Sequence, residues 1–401
     1  MSEPFRLPLR DKAFWQDPYP VLDEARSQHR TAVSENGETV VLTIDDLEAV
    51  SAHPDMVPLG LDALVRLGIA DGPFYEWRAL SLNARDHDDH RRLRSLVGRA
   101  FTPMQVQRVR PFVRARAEEL LDGFAERGEM EVQADFARDI PLFSICVFLG
   151  LPIEDRQEIE ALHFGTEEGF GWPMTPERRA RAEAGIVGLY DYSRRLVDQR
   201  RRRPADDLLT ALLRVEEGGD RLTEDELLAM VVNLIGGAIG STASAIANAA
   251  FLFASHPDQA DLLRASPGLA KPAVEEVLRC APPFRSTRRK AEKPLDIVGV
   301  HLEPGHAVLL SRQAANRDPA RFDRPHVFDI ARGDSNHVSF GHGPHFCLGQ
   351  ALARANLVEA VPALVARCHD LELAGTPQRI PFDPVEKFDA LHVRFRGAPR
   401  T

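Results

Sequence analysis

The sequence predicts a mainly α fold with small β-sheets, an α+β chain of 401 residues that is long enough for two domains, although single larger folds exist. Three observations carry that prediction. A run from Glu224 to about Ser255 is apolar almost all round and opens on Thr223 with Glu226 three residues later, the signature of a capping box. Apolar residues at helical spacing recur through residues 105–220 and again at Ala351, Leu352, Leu357, Val361, Leu364 and Val365. Strand signals are short and few: the β-branched run 39–44, and Val298, Val300 and residues 307–310 broken by Pro304-Gly305 as a hairpin.

In chain order, Pro18-Tyr19-Pro20 precedes a helical segment (Val21, Leu22, Ala25), and Asp45 or Asp46 is expected to cap a short helix after the first strand. Residues 56–85 mix Pro58, Gly60, Gly68, Gly72 and Pro73 with Leu61, Leu64, Phe74, Tyr75 and Trp77, an irregular stretch that is either local core or pocket wall. Asp86-His87-Asp88-Asp89-His90 suits either a divalent cation or an acidic helix start. A basic run follows (Arg91, Arg92, Arg94, Arg99, Arg108, Arg110, Arg114, Arg116) with no acid until Glu118. It is either a solvated helix face or a docking patch for an acidic protein. Residues 164–174 hold three glycines, Phe170, Trp172 and Pro173, and break the helical pattern.

Composition bounds the class. The chain is 44% hydrophobic and 27% charged, with a net charge of −10 that argues against general nucleic-acid binding. Four widely spaced cysteines form no CxxC pair, which indicates a reducing compartment. The N-terminal residues show neither an apolar signal core nor a membrane span, so a soluble cytoplasmic monomer is expected.

Chemistry concentrates in residues 340–349, Phe340-Gly341-His342-Gly343-Pro344-His345-Phe346-Cys347-Leu348-Gly349, just ahead of a helical pattern. A sulfur at a helix N-terminus meets unpaired N–H groups and the positive end of the dipole, which favour a thiolate ligand. The alternative is a glycine-rich loop around a structural cysteine. The long helix is odd at its middle, where Gly236, Gly237 and Gly240 precede Ser241 and Thr242. Each glycine costs about 1 kcal/mol relative to alanine, so something presses close or the ladder opens there.

The run Phe340-x-x-Gly343-x-x-x-Cys347-x-Gly349 resembles the haem-binding loop of cytochrome P450s, and the resemblance extends from about residue 15 to 395. It implies a single domain over residues 1–401 and a haem b cofactor with Cys347 as the axial thiolate. It also implies His90 and Arg94, four apart on one helical face, with Arg289 (Arg288 as fallback), His337 and His345, as donors to the haem propionates. Glu276-x-x-Arg279, joined by Arg332, resembles the family's structural ion pair. Phe284, Arg285 and Phe388 are candidate substrate contacts. In the long helix the family pattern Ala/Gly-Gly-x-Asp/Glu-Thr aligns with Gly237-Ala238-Ile239-Gly240-Ser241. Gly240 stands where the acid belongs, and Ser241, with Thr242 as alternate, where the alcohol belongs. The resemblance implies a monooxygenase that oxidises a small, largely apolar molecule with O2 and two electrons from a ferredoxin and its NAD(P)H-dependent reductase. The missing acid implies a non-standard proton path. Peroxide use, hydrogen abstraction that ends in coupling or desaturation, and a non-catalytic haem-thiolate sensor are the alternatives.

Overall fold

One helix, Glu224–Ser255, runs through the middle of the structure, a computed structural model that describes residues 3–215, 219–333 and 336–399. Its start is set by the capping box: Thr223 Oγ1 accepts from the Glu226 N–H at 3.2 Å, and Glu226 Oε2 accepts from the Thr223 N–H at 3.0 Å. The helix is long and apolar enough to cross a membrane, yet most of that apolar surface is buried inside the protein. Leu228, Val231, Ile235, Ile246 and Phe253 face the helices Asp139–Leu149, Pro176–Arg202 and Gln350–Arg367. Burying each such side chain contributes roughly 2 kcal/mol, so the apolar circumference is what holds this helix at the centre.

Among the described residues the strands form three sheets. The six-stranded one has the order Arg6–Leu7, Thr31–Ser34, Thr39–Val41, Ala307–Ser311, Ser286–Ala291, Met56–Pro58. Thr39–Val41 and Ala307–Ser311 pair in parallel, with Val40 opposite Leu309, and both bury completely. The hairpin of Leu295–Ile297 and Val300–Leu302 turns at Val298-Gly299, not at Pro304-Gly305, because those two residues take positive φ.

Local chemistry corrects three expectations. The strand stops at Val41, and Thr43, not Asp45 or Asp46, caps the next helix by accepting from the Asp46 N–H. The irregular stretch contains a real helix, Pro73–Leu80, begun by Gly72 at φ 87° with proline at its first position. The helix Arg156–Glu167 continues into a 3-10 turn at Glu168–Phe170, so the break falls later than the glycines suggest. Phe170 then packs edge-on against Phe74 and Trp77, at 5.2 and 6.3 Å between ring centres.

Candidate active site

Backbone hydrogen bonds fold the cysteine loop tightly. Gly341 N donates to Val338 O (2.8 Å), Phe346 N to Gly343 O (3.0 Å), and Cys347 N to Phe340 O (2.9 Å). Gly343 sits at φ 72°, and any Cβ there would overlap the Ser51 carbonyl of the helix Ile44–Ala52, so only glycine lets the loop lie on that helix. Cys347 lies two residues before the Gly349 cap of the helix Gln350–Arg367, and its sulfur accepts the Gly349 N–H. Burial pushes the thiol up from its ordinary value, while that N–H and the guanidinium groups of Arg312, Arg94 and Arg354 act the other way. Cys347 is half-buried and its sulfur lies among positive charges.

A second group of side chains lies beside it. His90 is buried and stacks on His345 with ring centres 4.0 Å apart. Burial, then the charges of His345 and Arg94, push His90 down to about 4, which leaves it a neutral hydrogen-bonding group. His345 Nε2 lies 3.4 Å from Asp86 Oδ1. Arg94 makes no hydrogen bond or ion pair to a described side chain. Nε of Arg289 and Nε of Arg312 are buried without acceptors, and burial lowers both guanidinium groups, Arg312 to about 10. Arg288, the fallback, is instead paired with Glu38 at 2.9 Å.

Three guanidinium groups and two imidazoles therefore face one carboxylate. Buried cations without partners are costly, so the set fits a ligand that brings two carboxylates. On the central helix Gly237 is exposed and a Cβ there would meet open space, which leaves room for a group against that helix. The residues present thus fit a haem, with Cys347 as the sulfur able to hold its iron and Arg94, Arg289, Arg312, His90 and His345 as the groups able to hold its propionates.

On the central helix, Ser241 Oγ donates to Gly237 O at 3.2 Å and shares the accessible face with it. Thr242 is buried on another face. Ser244 is buried and its hydroxyl donates to the Glu386 carbonyl. Phe284 is accessible and lies under the Arg312 guanidinium, 5.7 Å from it.

Three residues go elsewhere. His337 is buried behind the loop with Nε2 3.1 Å from Glu275 Oε2 and Nδ1 accepting from the Ser339 N–H, so neither nitrogen is left for a propionate. Arg285 donates to Glu386 (2.9 Å) and to the carbonyls of Asp383 and Ile380, and packs on Trp15; it braces the C-terminal segment and has no nitrogen left for a substrate. Phe388 is a fully buried core ring stacked on Phe251 at 5.2 Å. The charge network around Glu276 is complete: Arg279 bonds it twice (2.7 and 2.8 Å), Arg332 donates at 3.1 Å, and the Asp329 N–H at 3.0 Å. Arg312 is not among the residues that the sequence singles out, and Asp86 is singled out there only within an acidic helix start or a cation site. Arg312 follows a buried strand with no motif to mark it; only strand pairing carries it to the cysteine loop.

Comparison with known proteins decides the family. A cytochrome P450 family model matches residues 268–383. Over 400 residues the chain is 35% identical to the cytochrome P450 monooxygenase PikC of Streptomyces venezuelae, covering 96% of this chain and 92% of that one. The chain belongs to the cytochrome P450 family. This P450 is also 36% identical over 296 residues to 6-deoxyerythronolide B hydroxylase of Saccharopolyspora erythraea, covering 74% and 72% of the two chains. The solved structure of CalO2 superposes with a TM-score of 0.91 at 30% identity, covering 97% of this chain and 98% of the other. It is a bacterial-type P450 monooxygenase that depends on haem b.

Proposed function

We propose that this P450 hydroxylates a small, largely apolar organic substrate, with O2 as oxidant and two electrons delivered by a ferredoxin and its NAD(P)H-dependent reductase. Cys347 would hold the haem iron through its thiolate, and Arg94, Arg289, Arg312, His90 and His345 would hold the propionates. The single observation behind this assignment is the uncompensated cationic set around a sulfur that sits at a helix N-terminus. When bound, the haem supplies activation of dioxygen on an iron whose thiolate ligand favours O–O cleavage.

The chain's own residues do the rest. Ser241, not Thr242, serves the oxygen site, because its hydroxyl shares the accessible face with Gly237 and can pass hydrogen bonds onward. Phe284 offers the substrate an apolar face. The ferredoxin reading draws support from Arg91, which is largely solvent-facing one helical turn from Arg94. Most of the basic run supports it less, because it is neutralised by other elements. Arg92 pairs with Asp220 and Glu226, Arg108 with Asp206, Arg110 with Glu359, and Arg116 with Asp139.

The test is spectroscopic. The reduced protein with carbon monoxide should show the red-shifted Soret band for which the family is named, and Cys347→Ala should abolish it. A band unchanged in Cys347→Ala would reject the ligand assignment. Compounds that convert the resting haem from low to high spin then define the substrate class.

A further inference from the structure

The place of the missing acid is not empty of acid. A Cβ built on Gly240 would fall onto Oε1 of Glu167 and lie 3.9 Å from Nε2 of His163. Glu167 ends the helix Arg156–Glu167, which crosses the central helix at this point. Its carboxylate is held from two sides: Oε1 is 3.4 Å from His163 Nε2, and Oε2 is 3.0 Å from Lys387 Nζ. Lys387 in turn lies 3.5 Å from Asp383. Burial raises Glu167, but His163 and Lys387 outweigh it and hold the group at about 2, so it is ionised. His163 is almost fully buried, and neither ring nitrogen has a hydrogen bond of good geometry among the described residues.

We propose that Glu167 replaces the acid of the central helix, presenting a carboxylate across Gly240 and relaying protons through water to the Ser241 hydroxyl. Gly240 is then a required gap. A side chain there would displace Glu167, and a second carboxylate would stand against the first. Each turnover takes up two protons with two electrons from the reduced ferredoxin and one O2, places one oxygen atom in the product and releases the other as water. Glu167 accepts each proton from bulk water on its Lys387 side, passes it on and returns to the carboxylate. The relay rests on the reading that Ser241 serves the oxygen site, and it reverses the simple remedy of restoring an acid at position 240: Gly240→Asp alone should harm the enzyme.

Two measurements test it on the haem-loaded protein. The first is a melting-temperature cycle of Gly240→Asp, Glu167→Ala and the double variant, read without turnover. Gly240→Asp should lower the melting temperature in the wild-type background and much less in Glu167→Ala; additive effects would show that the two positions do not meet and would overturn the proposal. The second is oxygen consumption driven by a surrogate ferredoxin pair, in water and in deuterium oxide. Glu167→Gln should slow it about 100-fold, the low end for a positioned proton donor, and raise the solvent isotope effect. Glu167→Asp should recover part of the rate, and Gly240→Asp combined with Glu167→Ala most of it. Ser241→Ala separates the two readings. If it uncouples the enzyme while Glu167→Gln leaves rate and isotope effect unchanged, the relay is wrong and the hydroxyl assignment stands. If Ser241→Ala is silent and Glu167→Gln is not, Glu167 feeds the site by another route and the Ser241 reading fails.

Discussion

Glu276 shows how much one buried carboxylate can carry. It accepts from Arg279, Arg332 and the Asp329 N–H, and Arg279 extends the network to the carbonyls of Asn316, Pro325 and Val327. Removing one member leaves buried charge without a counter-charge, a penalty of about 3–5 kcal/mol. Glu276→Ala should therefore lower the melting temperature steeply and reduce haem content on purification. A full haem complement and unchanged melting in that variant would contradict the bracing role. The same logic, inverted, supports the proposed propionate role of Arg94, Arg289 and Arg312, whose guanidinium groups are desolvated and meet no counter-charge in an ion pair among the described residues.

Among elements, the cysteine loop depends on backbone geometry as much as on sulfur. At Gly343 a side chain would meet both a positive φ and the Ser51 carbonyl. Gly343→Ala should cost about 1–2 kcal/mol for the φ alone and more for the displaced helix, read as a lower denaturation midpoint and faster haem loss. The helix His87–Ala100 gives a different case. Arg92 ties it to Asp220 and Glu226. Arg92→Glu would place like charges together, so it should lower the melting temperature whatever the electron donor. Arg91, bonded among the described residues to its exposed neighbour Asp88 alone, is the better probe of docking. Arg91→Glu should leave melting within about 0.5 kcal/mol of wild type and slow electron transfer most at low salt. Equal rates at low salt would remove Arg91 from the docking surface.

Over the whole molecule, charge pairs stitch distant segments together and make stability depend on pH. Glu275 joins the helix Ala270–Cys280 to His337 and, through two bonds to Arg354, to the cysteine helix. Burial raises this carboxylate, yet those hydrogen bonds hold it at about 2 against 4.5 when free. The folded group binds its proton more weakly than the unfolded one. Its contribution is therefore present above pH ~4.5 and is lost as pH falls toward 2. Glu275→Gln should flatten the acid limb of a melting-temperature profile below pH ~5 and lower the plateau above it. An acid limb identical to wild type would show that other carboxylates dominate.

How much of this was legible beforehand depends on how far each cause reaches along the chain. The central helix, its capping box, the cysteine loop and the Glu276–Arg279 pair are local patterns, set by residues within a turn or two of each other, and sequence alone determined them. Arg312, Arg285, Phe388 and His337 depend on which strand pairs with which and on what fills the space behind a loop. Their neighbours lie far away in sequence, so only the tertiary structure decided whether each side chain meets the site or the core. Gly240 belongs to both accounts. The sequence by itself determined that the central helix lacks its acid. Only the fold decided that a carboxylate from another helix stands in that gap, because a missing side chain is a local fact, whereas the atom that takes its place is set by how two helices cross.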